Sequence, residues 1–159
     1  MSLAFGAVAL AGGGVHVVSS GGVRLSVPVG WHRFEPTQNG VVDPRTLLVV
    51  GTTGVVRDPR SSCQIAAYRL PSAGAVVVVV GWRTATSGGG DGRPTGRAPL
   101  RELVRVTRPS FECFVGRGAS AQLVLRGKAY QVNVMVGDSA PKARVAEALA
   151  VARSFDLAR

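Results

Sequence analysis

The residues with the widest chemical repertoire in this chain are two cysteines and two histidines: Cys63, Cys113, His16 and His32. Zinc sites use such ligands in short paired spacings, which these four residues do not show, so we predict no metal and no cofactor. A histidine works as a general base when a carboxylate orients it, and the sequence places no Asp or Glu for that role. We therefore predict no catalytic residue and expect a protein that is not an enzyme.

The two cysteines are interpreted as a disulfide. Cys63 follows a Ser-rich turn, and Cys113 lies in residues 111–114, which we predict to be a strand, so each sulfur could face a neighbouring strand. The bond would close a loop of about fifty residues, which the chain-entropy model values at about 4 kcal/mol. Two buried free thiols are the alternative. A reactive thiolate beside His16 or His32, as in a cysteine-dependent enzyme, is the third interpretation.

A disulfide persists in an oxidising compartment, so the cysteine pair predicts an extracytoplasmic protein, secreted or anchored in the cell envelope. Residues 1–14 are apolar, and Ala9-Leu10-Ala11 resembles a signal-peptidase site, but the run is too short to span a bilayer. We interpret it as the remnant of an export signal or anchor that begins upstream of Met1. Contact with a membrane would then occur only through that upstream anchor. A disordered Ala/Gly leader is the alternative.

The formal net charge of +10 would ordinarily indicate nucleic acid or an anionic membrane as a partner. However, 17 of the 19 basic residues are Arg, and Ala, Gly, Val and Pro are abundant, which is what a GC-rich codon supply alone produces. The composition therefore argues against nucleic acid as a binding partner. The basic residues are dense only in residues 83–108, and Gly116-Arg117-Gly118 could form a nest for an anion or simply a turn. The candidate anion contacts are Arg97, Arg101, Arg105 and Arg117.

A second candidate binding site is aromatic. Trp31 and His32 follow a Pro-Val-Gly turn, and Trp82 ends a run of valines. Together they could line a groove for a peptide or a glycan. The alternative is that both tryptophans plug the ends of a sheet core.

The elements that would position these residues are mostly strands. The chain is rich in Val, Ala, Leu and Gly and only 6% aromatic, which favours an aliphatic sheet. We predict the α+β class, with residues 15–159 forming one domain whose mostly antiparallel sheet of about eight strands packs against one C-terminal helix. Residues 84–99 are predicted to be a flexible loop. The predicted strands are 23–27, 46–51, 63–70, 75–80, 103–106, 110–115, 121–125 and 129–136.

Two local predictions are specific. Residues 126–128 should form a tight hairpin turn, because Gly127 can adopt a positive φ. After Gly137, Asp138 or Ser139 should cap a helix that has Pro141 in its first turn. The apolar stripe of this helix, ending near Phe155, is predicted at Val145, Ala148, Leu149 and Ala152.

The segment Val27-Pro28-Val29-Gly30-Trp31 and the closing Ser154-Phe155 resemble the corresponding motifs of the PsbP/Mog1-like sandwich family, over residues 22–156 in order of elements. The chain is also similar to uncharacterised envelope-associated domains of high-GC bacteria. The resemblance implies a non-enzymatic, export-linked accessory or binding domain with no catalytic residue to carry over. The cysteine pair and the lack of a predicted helix between the early strands depart from that family.

Taken with the resemblance, the residues predict a non-enzymatic extracytoplasmic accessory or binding domain, whose partner is an envelope component or another protein. An Arg-rich binder of nucleic acid or polyanions is the first alternative, and its signature would be a steep loss of affinity with salt. A cysteine-dependent enzyme is the second, and it requires a thiol that reacts in the native protein.

Overall fold

The computed structural model describes residues 13–36, 40–85, 96–109 and 111–159, and within these ranges the chain forms ten strands and two helices. All the strand pairs are antiparallel, which confirms the predicted α+β class and corrects the predicted count of about eight strands and one helix. The elements are β1 (Val15–Ser20), β2 (Val23–Pro28), β3 (Trp31–Phe34), β4 (Arg45–Thr52), β5 (Val56–Arg57), β6 (Tyr68–Arg69), β7 (Ala75–Gly81), α1 (Ala98–Glu102), β8 (Arg117–Leu125), β9 (Lys128–Val136), α2 (Lys142–Arg153) and β10 (Asp156–Leu157).

The main sheet has five strands in the order β3-β4-β7-β9-β8. β7 lies in the middle, and all seven of its residues are buried. Its consecutive valines supply apolar side chains to both faces, as a strand covered on both sides requires. The prediction that this segment is the central strand is confirmed.

The β8–β9 hairpin, which was predicted from its turn, lies at one end of the main sheet, with β8 as an edge strand. Leu125 pairs with Lys128, and the two residues between them have positive φ, +49° at Arg126 and +71° at Gly127. Two consecutive residues with positive φ make a turn whose twist matches that of the flanking strands. The hairpin prediction is confirmed.

The first face of the main sheet, defined by the buried side chains of Leu48, Val77 and Val132, is covered by α2 and by a second sheet of order β1-β2-β10. β2 alternates buried and half-buried residues, so one side of it packs into this core. The predicted stripe of α2 is confirmed: Ala148, Leu149 and Ala152 are buried, and Val145 is partly buried against them. Within the described residues no helix is long and apolar enough to cross a membrane.

Helix α2 differs from the prediction at its N-terminus and agrees with it at its C-terminus. The N-cap of α2 is Pro141, without a side-chain cap, so the predicted cap at Asp138 or Ser139 is wrong. Those residues instead form a turn held to a neighbouring loop, because the backbone N–H of Ser139 donates to the carbonyl of Ser72 over 2.9 Å. At the C-terminal end of the helix, where the stripe was predicted to end near Phe155, that residue is fully buried and leads directly into β10.

The second face of the main sheet, defined by Val76, Val78 and Val80, is covered by irregular chain rather than by a helix. Residues 53–74, which contain the short β5–β6 pair, contribute Val55 and Ile65 to this core. The segment 111–116 adds a stacked pair of rings, Phe111 and Phe114, whose centroids lie 4.9 Å apart. Two loops therefore close the second face.

A buried polar ladder also lies on the second face and was not predicted. Asn133 is fully buried. Its Nδ2 donates to the carbonyl of Val78 over 3.2 Å, and its Oδ1 accepts from Nε2 of Gln131 over 2.7 Å. These bonds offset the cost of burying an amide, which would otherwise destabilise the sheet.

Three predicted strands are wrong in whole or in part. Of residues 63–70, only Tyr68 and Arg69 are in a strand, because the chain bends to cover the second face. Residues 103–106 are not a strand and follow the short helix α1, which begins at a Pro-containing turn. Residues 111–115 form a turn in which Cys113 has φ +55°, and Ser110 lies outside the described residues.

The predicted leader and loop fall largely outside what the structure describes. Residues 1–12 of the leader and residues 86–95 of the predicted loop 84–99 lie outside the described ranges. At the far end of that loop Ala98 and Pro99 already belong to α1, which shortens the loop at that end.

Candidate functional site

A cavity of about 490 Å³ lies where residues 66–72, 113–116 and 136–138 meet, and we call it the disulfide groove. Its volume is within the range of ligand-binding clefts. Tyr68 and Leu70 come from the first segment, Phe114 and Val115 from the second, and Val136 from the end of β9. Val115 is 93% exposed, so an apolar side chain stands in solvent at this groove. Within the described residues the lining is mixed, with Asp138 as its only carboxylate.

The loops that line the groove are joined by the disulfide between Cys63 and Cys113. Their Cα atoms lie 6.2 Å apart across a sequence separation of 50 residues. The predicted disulfide is confirmed, although neither cysteine lies in a strand as expected. The bond fits an oxidising environment. In this state neither sulfur is a thiolate, so neither can act as a nucleophile.

Glu112 reinforces the junction beside the disulfide. Both of its carboxylate oxygens accept from the backbone N–H of Gln64 over 2.9 Å, and one also accepts from the N–H of Ile65 over 2.9 Å. Glu112 also lies close to both sulfurs, a grouping that could hold a metal only if the disulfide were reduced. The carboxylate is therefore a clamp between the two loops.

The predicted aromatic groove is not assembled. Trp31 is 2% exposed, packs in the core of the first face, and donates from Nε1 to Glu147. Trp82 packs on the core of the second face, and β3 places Trp31 at the opposite end of β4 from it. His32 is exposed, and its Nε2 lies 3.1 Å from Oγ1 of Thr53. Each tryptophan packs in a different core, because side chains alternate between the two faces of a sheet. This agrees with the alternative that both tryptophans are core residues.

The four predicted anion contacts differ in their surroundings. The guanidinium of Arg97 binds Asp156 and the carbonyl of Phe155, and that of Arg117 donates to the carbonyl of Asp138 over 3.2 Å. Arg101 and Arg105 are exposed on and after α1. Arg97 and Arg117 therefore bind acceptors of the chain itself, while Arg101 and Arg105 face solvent.

Asp156 joins two arginines that are distant in sequence. Its Oδ2 accepts from Arg24 over 2.8 Å, and its Oδ1 accepts from Arg97. The hydrogen bond from Arg24 lowers the pKa of Asp156, helped by the backbone N–H of Leu157 and the charge of Arg97, while partial burial opposes them. The carboxylate stays ionised to lower pH than an ordinary Asp.

We expect Asp156→Asn to lower the free energy of unfolding by about 1 kcal/mol or less at neutral pH, because these side chains are about one-third exposed. The folded-state pKa of Asp156 lies below its unfolded value, so its contribution is present above about pH 4 and is lost as the pH falls through the folded pKa. Urea denaturation of both proteins from pH 7 to pH 2 should show the difference shrinking below pH 4. A difference that grows on acidification would contradict this assignment.

Of the residues that line the disulfide groove, Cys113 and Gly116 were singled out as candidate site residues from the sequence, but neither as part of a groove. The available signal was the pair Phe111 and Phe114 around Cys113, which the alternation rule assigned to a strand and which the structure places in a turn. The other walls come from segments whose proximity depends on the fold.

Comparison of the chain with known family models, with curated proteins and with solved structures finds no match.

Proposed function

We propose that this protein is a non-enzymatic extracytoplasmic binding domain whose disulfide groove takes an extended apolar segment of a protein partner in the cell envelope. The observation that carries the proposal is that the Cys63–Cys113 disulfide joins the two loops that line the groove. A covalent link reduces the conformational entropy that those loops would lose on binding. The proposed relationship to the PsbP/Mog1-like sandwiches stays a prediction.

The apolar rim supports a protein partner. Val115 is 93% exposed beside the rings of Phe111 and Phe114, which are themselves held against the core of the second face. Exposed apolar side chains on a rigid support, bordered by polar groups, are typical of protein-binding surfaces. Asp138 and Ser72 supply the polar groups at this groove.

The compartment is tested on protein purified from its native host in the presence of an alkylating reagent and without reductant. We expect mass spectrometry to find the peptides of Cys63 and Cys113 joined and unalkylated. Recovery of both cysteines in alkylated form would overturn the extracytoplasmic assignment.

The groove is tested by photo-cross-linking in intact cells of the host. A photo-reactive amino acid at position 115 should give a discrete cross-linked protein, with the linked residues of the partner mapped by mass spectrometry. The matched control is position 56, because Val56 is 52% exposed but does not line the groove. The same products at both positions, or none at position 115, would contradict a binding role for the groove.

The alternative of a nucleic-acid or polyanion binder that uses residues 83–108 is less well supported. Arg97 is engaged by Asp156, whereas Arg83, Arg101, Arg105 and Arg108 are exposed along that stretch and Arg93 lies outside the described residues. A low-salt mobility shift with DNA or RNA that disappears at physiological salt would favour this alternative.

A further inference from the structure

Four arginines from distant parts of the chain line a second cavity, of about 320 Å³, which we call the arginine cavity. Arg24 comes from β2, Arg97 from the residue before α1, Arg126 from the hairpin turn and Arg159 from the segment after β10. The cavity lies at the turn end of the β8–β9 hairpin, whereas the disulfide groove lies at the other end, about 25 Å away along nine-residue strands. The two cavities are separate sites.

The charges in the arginine cavity do not balance. Among the described residues that line it, the side chains carry four guanidinium groups and one carboxylate, that of Asp156, which is an excess of three positive side chains (4 − 1 = 3). Asp156 uses both oxygens to hold Arg24 and Arg97. In the described part of the chain neither Arg126 nor Arg159 makes an ion pair. The excess of charge is therefore available to an anion.

The local structure positions these groups. The ion pairs with Asp156 hold the guanidinium groups of Arg24 and Arg97 at the cavity, where their side chains remain 31% and 37% exposed. Arg126 sits in a two-residue turn whose backbone is set by the flanking strand pairs. Groups that are held before a ligand arrives lose less entropy on binding.

We propose that the arginine cavity binds an organic diphosphate. Guanidinium groups match the geometry of phosphate oxygens and form two parallel hydrogen bonds to them. A diphosphate places several negative charges in a small volume, which suits the excess of positive side chains among the described residues of the cavity. The cavity is larger than one phosphate group requires, and Leu125 and Leu157 give it an apolar side for the organic part of the ligand.

The test is isothermal titration calorimetry of the full chain at about 50 mM and about 150 mM NaCl, with pyrophosphate, uridine diphosphate and geranyl diphosphate, and with citrate as a carboxylate control. We expect the diphosphates to bind more tightly than citrate at both salt concentrations. The preferred compound distinguishes the sources: a nucleotide, an isoprenoid or the free diphosphate. No binding by any diphosphate, or equal binding of citrate, would overturn the proposal.

The variant that locates the site is Arg126→Gln, which removes a charge from an exposed turn and leaves the Asp156 ion pairs in place. We expect it to weaken diphosphate binding about tenfold, the usual effect of losing one charge-assisted hydrogen bond. The matched control is Arg101→Gln, which removes the same charge from an exposed residue outside the cavity and should change the affinity less than about twofold. Equal losses in both variants would show binding to net charge alone and would contradict the site.

Discussion

Replacement of both cysteines, as Cys63→Ser and Cys113→Ser together, is expected to lower the free energy of unfolding by about 4 kcal/mol. The bond closes a loop across 50 residues, and the chain-entropy relation for a loop of that length corresponds to about 4 kcal/mol at 25 °C. Domains of this kind are stable by about 5–15 kcal/mol, so the loss is a large share of the total. Urea denaturation of the two proteins under identical oxidising conditions measures it.

The control for this prediction is Ser62→Ala, because Ser62 is exposed and adjacent to Cys63. It should change the free energy of unfolding by less than about 0.5 kcal/mol. The double variant should also lose the specific cross-link at position 115, because the covalent link between the two loops of the groove is then gone and only noncovalent contacts, such as those of Glu112, hold them. A double variant that loses less than about 1 kcal/mol would contradict a stabilising role for the bond.

Phe155→Ala is expected to cost a similar amount, about 3–5 kcal/mol, the range for truncating a fully buried aromatic side chain. The ring of Phe155 lies 5.4 Å from that of Tyr130 on β9, and it packs in the core between α2 and the first face of the main sheet. Phe155 also connects α2 to β10. The cavity left by its removal would therefore lie next to Asp156, the first residue of β10. Urea denaturation measures the change.

Two variants control for the identity of the side chain. Phe155→Leu keeps most of the apolar volume and should lose less than half of what Phe155→Ala loses. Arg153→Ala removes an exposed side chain near the end of α2 and should have an effect of less than about 0.5 kcal/mol. If Phe155→Ala lost no more than Arg153→Ala, the placement of Phe155 in the core would be wrong.

The parts of the fold that could be predicted are those decided by neighbours in the sequence. The run of valines in β7 predicted a strand buried on both faces, and Gly127 predicted a tight turn. The stripe of α2 followed from helical periodicity, and the disulfide from there being only two cysteines. For the strand, the turn and the helix stripe, residues within a few positions of one another carry the physical cause, whereas the disulfide joins cysteines 50 residues apart.

The parts that could not be predicted depend on segments that meet only in the folded chain. Residues 111–114 have the composition of a strand, yet the disulfide and the clamp of Glu112 on Gln64 accompany a turn with positive φ at Cys113. Trp31 and Trp82 suggested one groove, but the alternation of the strands places them on opposite faces. Local pattern cannot distinguish these outcomes, because each is decided by contacts across long stretches of chain.

The aliphatic antiparallel sheet, the closing helix and the pair of cysteines could all be recognised from the order of residues, because burial patterns and turn chemistry are encoded residue by residue. The two cavities, by contrast, arise only in the folded chain, because segments that are distant in sequence line each of them. Arg24 and Asp156 are 132 residues apart and lie 2.8 Å from each other, because β10 pairs with β2 at that point. The pairing of β2 with β10 brings these charges together, and that pairing cannot be recognised from the order of residues along the chain.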